Sequence, residues 1–318
     1  MVDVTDKHSR YFHRLLAPKA RLYTEMIATG ALLYGDVKRH LDFNVAEHPL
    51  ALQLGGSDPH ELAAAARIGA DYGYDEINLN CGCPSERVQK GAFGACLMAQ
   101  PQLVVDCLKA MQDVVDVPVT VKHRLGLDDN DSYSFVRDFV GTLREAGCRV
   151  FIVHARNAIL QGLSPKENRQ IPPLRYDDAY QLKLDFPDCQ FILNGGIHTA
   201  AQARHWQGQF DGVMLGRAAW HTPQVLNEIS RLSHPQLPFL SEQQLIQAMQ
   251  DYAQQEIKKG HALRHIVRPM IGWMAGQPGA RAWRKALTDF AQLNKNQASY
   301  LGQVWDDWQK RAQSLASA

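Results

Sequence analysis

Cys83 lies three residues beyond Asn80 in the run INLNCGCPSERVQKGAFGAC, which covers 77–96. A short apolar segment broken by Gly82 and followed by Pro84 reads as a buried strand that ends in a loop. Such strand ends are where α/β proteins hold their chemistry. A thiol there can be a nucleophile, a proton donor, a metal ligand or an inert small hydrophobe, the last being the commonest. Lys122 and His154 each follow a strand core rich in β-branched residues, so both should face the same mouth. Singly, a Lys or His in such a place is more often structural than catalytic. Together with Gln53, Asn78 and Asn80 they make a ring of donors with few carboxylates, suited to an electron-rich, neutral or anionic ligand. A metal is not expected, because CGC with Cys96 lacks the spacing of a zinc site.

Two further strand endings are glycine turns: Asn194, Gly195 and Gly196 in NGGI, and Gly216 with Arg217 in MLGRAAW. Free backbone N–H groups beside an arginine form a phosphate site of the kind barrels keep after their last strands. The plainer reading is that these glycines only make tight turns. Basic residues form a third group: Lys166 and Arg169 in KENR, then Arg264, Arg268, Arg281, Arg284 and Lys285, with Trp273 and Trp283 between them. Cations interleaved with aromatics can neutralise phosphates and stack bases, although a solvated helix face looks similar and is commoner.

These residues need elements to position them. A helix is expected over 3–16, with Phe12, Leu15 and Leu16 on one face. Strands then begin at Leu22, His48, Glu76, Val117, Cys148, Cys189 and Gly212, each short, apolar and followed by a helical segment. That alternation is the mark of a parallel sheet covered by helices. Nearly every strand ends in polar or glycine residues; in a doubly wound sheet only strands near the switch point would do so, whereas in a (β/α)8 barrel all converge on one mouth. The expected fold is therefore a TIM barrel over 1–238, one strand short at its start, followed by an all-helical domain over 239–318.

With 318 residues, 45% hydrophobic and 21% charged, the composition is that of a folded globular protein. A net charge of +1 gives no global sign of a polyanionic partner, so any nucleic-acid signal must be local. No signal-peptide pattern or membrane-length apolar run is seen, and a cytoplasmic protein is expected. Six irregularly spaced cysteines make no disulfide framework.

Six ordered motifs, DVTDKHSRYFHRLL, INLNCGCPSERVQKGAFGACLM, VTVKHRLG, VHARNA with SPKENRQIPPL, NGGI and DGVMLGRAAW, together resemble the bacterial tRNA-dihydrouridine synthases. The likeness runs over almost the whole chain and is greatest to the A-type enzymes acting around D-loop positions 20 and 20a. It implies an FMN-bound TIM barrel and a helical tRNA-binding domain. It also implies roles: FMN held by Gln53, Lys122, His154, Asn194, Gly195, Gly196, Gly216 and Arg217; Cys83 as catalytic acid; and tRNA contacts at Asn80, Lys166, Arg169, Arg281 and Arg284. NADPH would reduce the flavin, which passes hydride to C6 of a uracil while Cys83 protonates C5. A thiol, with an ordinary pKa of about 8.5, can serve as an acid at neutral pH, and the Cys83 loop is expected to stand clear of strong positive charge. The target base must be turned out of its stack. No membrane or protein partner is implied, and a monomer is expected.

The sequence departs from that pattern twice. Cys81 stands where relatives have an apolar residue; strand alternation should send it to the side away from Asn80, where a buried thiol acts as a small hydrophobe. The chain also starts at the Met that ends the family's first strand, so that strand is expected to be absent and its neighbours exposed as edges. On that ground a natural start upstream of Met1 is expected, and a flavin-deficient, non-catalytic tRNA-binding relative stands as the alternative to the enzyme. A flavin barrel acting on a small pyrimidine is disfavoured by KENR and the helical segment.

Overall fold

The computed structural model describes residues 1–316. Seven parallel strands form one sheet in sequential order: β1 (Leu22–Ala28), β2 (Leu50–Gly55), β3 (Glu76–Cys81), β4 (Val119–Leu127), β5 (Val150–Ala158), β6 (Gln190–Asn194) and β7 (Gly212–Met214). Every residue of β2 and β3 is buried, as expected of strands covered on both faces. Among the described residues no pairing joins β7 to β1, so these two are the edges of the curled, barrel-like sheet. The first residues lie at that opening: Val4 N donates to Glu25 Oε1 of β1 (3.0 Å), and a Cβ built on Gly216, just past β7, would lie 3.4 Å from Met1 Sδ.

The helix Pro59–Tyr72 shows how local signals set the crossovers. Asp58 caps it by accepting from Glu61 N, Pro59 occupies the first turn, and Gly73 ends it at φ +105°. Its Leu62, Ala65 and Ala66 are fully buried against the sheet. At Gly69 a Cβ would sit 2.4 Å from Leu52 Cδ2, so the close approach of helix to strand requires glycine.

Beyond β7 the described residues form helices and turns only, including Glu242–Lys258, Ala280–Ala286 and Tyr300–Ala316. They enclose a second apolar cluster around Met249, Trp273, Trp283 and Trp305. The N-terminal helix Lys7–Leu16 contributes Phe12 and Leu16 to that cluster rather than to the sheet's own core. It is also tied to both parts by polar contacts. Lys7 Nζ reaches Asp42 (2.5 Å) and Glu256 (2.7 Å), Arg10 Nε pairs with buried Glu47 (2.6 Å), and His13 Nε2 lies 3.0 Å from Ala219 O. His8, Glu256 and His261 have ligand atoms within 4.8 Å of one another, but the Lys7 ammonium already sits where a cation would be held, 3.0 Å from His261 Nε2. Among the described residues no helix is long and apolar enough to cross a membrane.

Candidate active site at the C-terminal strand ends

Strand alternation separates two faces. Leu79 and Cys81 join the core between sheet and helices, so Asn78 and Asn80 point the other way, into the barrel. Cys81 is fully buried, and burial raises its thiol well above its ordinary pKa; it is the inert hydrophobe the alternation implied. Register then places Gln53 beside Asn78, Asn80 beside Lys122, Arg124 beside His154, and His154 beside Asn194. Five neighbouring strands thus bring residues far apart in sequence to one mouth.

Asn80 shapes the cysteine loop. Its Oδ1 accepts from the backbone N–H groups of Gly82 (3.0 Å) and Cys83 (2.9 Å), turning the chain directly after β3. The loop returns through Ala95, whose N–H donates to Cys83 O (2.9 Å). Gly94 makes this approach possible: φ is +71°, and a Cβ there would stand 2.6 Å from Cys83 O. Cys83 itself is half-buried, and its thiol is 3.6 Å from Ser85 Oγ.

Arg124 is a site residue that the sequence reading passed over. Its Nε donates to Gly82 O (2.8 Å) and its Nη1 to Asn157 O (2.8 Å) and Asn168 O (2.9 Å), so one buried guanidinium ties the cysteine loop to the KENR loop. Fully buried Asn168 organises that second loop, donating from Nδ2 to Ile159 O (2.8 Å) and accepting at Oδ1 from Ile159 N (2.8 Å). Lys166 is left exposed and Arg169 half-buried at the mouth. The missed signal was available: Arg124 follows Lys122 by two residues and shares its face.

The Cys83 loop does not stand clear of positive charge, contrary to expectation. Lys122, Arg124 and Arg169 all lie within electrostatic reach of the Cys83 sulfur, because the guanidinium that fixes the loop is itself one of the cations. Burial, then Arg124, lowers the Lys122 pKa to about 8, and its Nζ donates to Asn194 Oδ1 (3.1 Å). Burial, with Arg124 and Lys122 adding to it, holds His154 well below its ordinary pKa and therefore neutral. Arg156 donates from Nη1 to Gln170 O (3.3 Å) and Pro172 O, and Arg217 from Nη2 to Arg169 O (2.9 Å). Among the described residues none of Lys122, Arg124, Arg156, Arg169 or Arg217 has a carboxylate partner, and Nε of Arg156 and of Arg169 is buried without a hydrogen bond. Uncompensated cations with orphaned donors favour an anionic ligand.

The glycine turns sit beside this cluster. Gly195 has φ +112°, and a Cβ there would meet His154 Cδ2 at 2.7 Å. Gly196 has φ +72°, and a Cβ would meet Tyr176 Oη at 2.5 Å. Asn194 Nδ2 donates to Met214 O (2.8 Å), linking the ends of β6 and β7. The strand expected over 212–220 is shorter: β7 ends at Met214, Gly216 caps a short helix Arg217–His221, and Arg217 therefore opens a helix.

The reading in which the tryptophans among the basic residues stack bases does not hold. Trp273 and Trp283 are 3% and 1% exposed, pack on each other and on Trp305, and donate their indole N–H groups to Gln224 Oε1 (2.9 Å) and Met270 O (2.8 Å). They are core residues and cannot stack bases. Arg281 and Arg284, three residues apart on Ala280–Ala286, are exposed without an ion pair among the described residues.

A family model described as dihydrouridine synthase (Dus) matches residues 1–310. The chain belongs to the dihydrouridine synthase family. It is 54% identical over 289 residues to a tRNA-dihydrouridine(20/20a) synthase of Pseudomonas putida, covering 91% of this chain and 86% of the relative. Proteins of the same name from Shewanella oneidensis and Vibrio vulnificus are 52% and 51% identical; the alignments cover 92% of this chain in each case, and 88% and 90% of the relatives.

Proposed function

We propose that this protein reduces uridines of the tRNA D-loop, at positions 20 and 20a, to 5,6-dihydrouridine, with FMN as cofactor, NADPH as reductant and Cys83 as the acid. The observation that carries the proposal is the cysteine loop, pinned by Asn80 and Arg124 at the rim of a mouth whose cations have no carboxylate partner among the described residues. The donor set fits FMN. Arg217, beside the turn of Gly195 and Gly196, would meet the phosphate; Gln53, Lys122, His154 and Asn194 would meet the flavin's carbonyls and ring nitrogens. The residues up to 238 would form the catalytic barrel, and 239–318 a helical tRNA-binding domain, acting as a monomer in the cytoplasm. The non-catalytic alternative is not favoured, since the relatives are named as synthases and Cys83, Lys122 and His154 are all in place.

Bound flavin supplies the hydride for C6 of the uracil. This chain's residues do the rest. Lys166, Arg169, Arg281 and Arg284 hold tRNA phosphates, and the free amide N–H of Asn80 helps hold the everted base. Cys83 delivers its proton to C5, and the thiolate left behind is compensated by Lys122, Arg124 and Arg169, which act where charge develops.

The test compares two thiols. Cys83→Ala is expected to retain FMN and oxidise NADPH while forming no dihydrouridine, read by mass spectrometry of digested tRNA. Cys81→Ala is expected to stay active with a small loss of stability. Full product formation by the first, or equal inactivation by both, defeats the assignment.

A further inference from the structure

Inside the sheet the polar side chains form one directed chain of hydrogen bonds. Asn80 Nδ2 donates to Gln53 Oε1 (2.8 Å), Gln53 Nε2 to Asn78 Oδ1 (2.8 Å), Asn78 Nδ2 to Thr120 Oγ1 (2.8 Å), and Thr120 Oγ1 to Glu76 Oε1 (2.6 Å). Gln53, Asn78 and Thr120 occupy one register row across β2, β3 and β4, which is why three side chains from separate strands meet end to end. All five residues are at least nine-tenths buried, and Asn78, Thr120 and Glu76, away from the mouth, cannot turn to water instead.

The direction of the chain is forced at both ends. At the top, the N–H groups of Gly82 and Cys83 can only donate, so Asn80 must present its oxygen to them and its nitrogen to Gln53. At the bottom, Glu76 receives Thr120, Tyr23 Oη (3.0 Å) and Arg21, and as an acceptor it obliges Thr120 to donate downward and accept from Asn78. The two requirements agree, and every amide between them has one allowed orientation. Reversing any one would set N–H against N–H or oxygen against oxygen.

Resting on the flavin-dependent reading above, we infer that Glu76 and Thr120 are positioning residues: through Asn78 they hold the Gln53 amide from below, as Asn80 holds it from above, and so set what that amide offers to the flavin. Gln53 has one N–H and one lone-pair direction outside the chain, and Asn80 one N–H. Their identity as donor or acceptor at the mouth is held from two ends, by the loop N–H groups on Asn80 and by Glu76 on the far side of Gln53. Removing the Thr120 hydroxyl strands a buried donor on Asn78 and leaves the Gln53 amide held from its Asn80 end alone.

The experiment titrates the full-length protein, stripped of flavin, with FMN and follows quenching of flavin fluorescence. Thr120→Val, of the same shape but with no hydroxyl, is expected to bind FMN about tenfold more weakly than wild type. Thr120→Ser, which loses a methyl group and keeps the hydroxyl, is expected to bind within about twofold. A packing role would rank these variants differently, because serine leaves the larger void. Should Thr120→Val give no soluble protein, Thr120→Cys replaces it, a side chain of similar size and weak hydrogen bonding. Equal affinity of Thr120→Val and wild type, or equal weakening by Val and Ser, overturns the chain while wild-type binding leaves the flavin reading intact. A wild-type protein that does not bind FMN overturns both.

Discussion

Arg124→Met offers a sharp test of the site's architecture, because it removes one guanidinium that two functional loops share. Three carbonyls lose a donor: Gly82 O, Asn157 O and Asn168 O, at 2.8, 2.8 and 2.9 Å. A buried acceptor left unpaired costs about 1–3 kcal/mol. Two of the three lie on loops at the mouth and can be rehydrated. Removing Arg124 also relieves a desolvated cation whose pKa burial lowers to about 10 and which has Arg169 and Arg156 as neighbours. The net loss is then about 2–4 kcal/mol, which for a chain of this length lowers the melting temperature by roughly 3–6 °C. The functional effect should be larger and selective. Freed from Arg124, both the Cys83 loop and the Lys166 and Arg169 loop shift, and a displacement near 1 Å of a reacting group costs on the order of 100-fold. Stopped-flow measurement should show flavin reduction by NADPH within about threefold of wild type, and reoxidation by tRNA slowed by about 100-fold. Arg124→Lys, which keeps the charge but cannot reach three carbonyls at once, should fall close to Met. If Lys is fully active, the residue acts through charge and the clamp is refuted; equal loss in both half-reactions refutes it as well.

Three further outcomes are expected. FMN affinity should weaken as pH rises through about 8, where Lys122 loses its proton, and Lys122→Arg should flatten that profile; fluorescence titration between pH 6.5 and 9.5 checks it. His13 and His123 are buried with pKa values lowered to about 4, so the unfolded chain binds protons first. Stability is full above the ordinary histidine pKa and falls as pH drops from about 6.5 toward 4, by up to about 1.4 kcal/mol per pH unit for each histidine, and His13→Gln should reduce that slope in thermal melts. Arg281→Ala and Arg284→Ala should each lower the slope of log tRNA affinity against log salt by about one and leave the flavin spectrum unchanged; an unaltered slope returns them to a solvated helix face.

The succession of parallel strands and helices was legible in the chain, because strands buried on both faces are largely apolar and several crossover helices carry their own caps, at Asp58, Ser132 and Thr199. The sequence by itself also showed that Cys83 and the glycine turns follow strands and that Cys81 and Asn80 face opposite sides, since the period of a strand is two. These are local properties, written in neighbouring residues. Lys122 and His154, read as strand endings, stand instead within β4 and β5, which run on to Leu127 and Ala158. Only the tertiary structure decided which strand ends touch. The directed amide chain depends on the register of β2 against β3 and β4, and the Arg124 clamp on a meeting of Gly82, Asn157 and Asn168, none of them near it in sequence. The same holds for the charge around Cys83: a run of residues shows what stands on a loop, but the cations facing it come from β4 and from the loop after β5. Trp273 and Trp283 show the remaining limit of pattern. A segment with arginines and tryptophans interleaved reads alike whether its aromatics face a nucleic acid or a core, and here Trp273 and Trp283 pack with Trp305 and Phe12 in one apolar cluster, leaving Arg281 and Arg284 to the solvent.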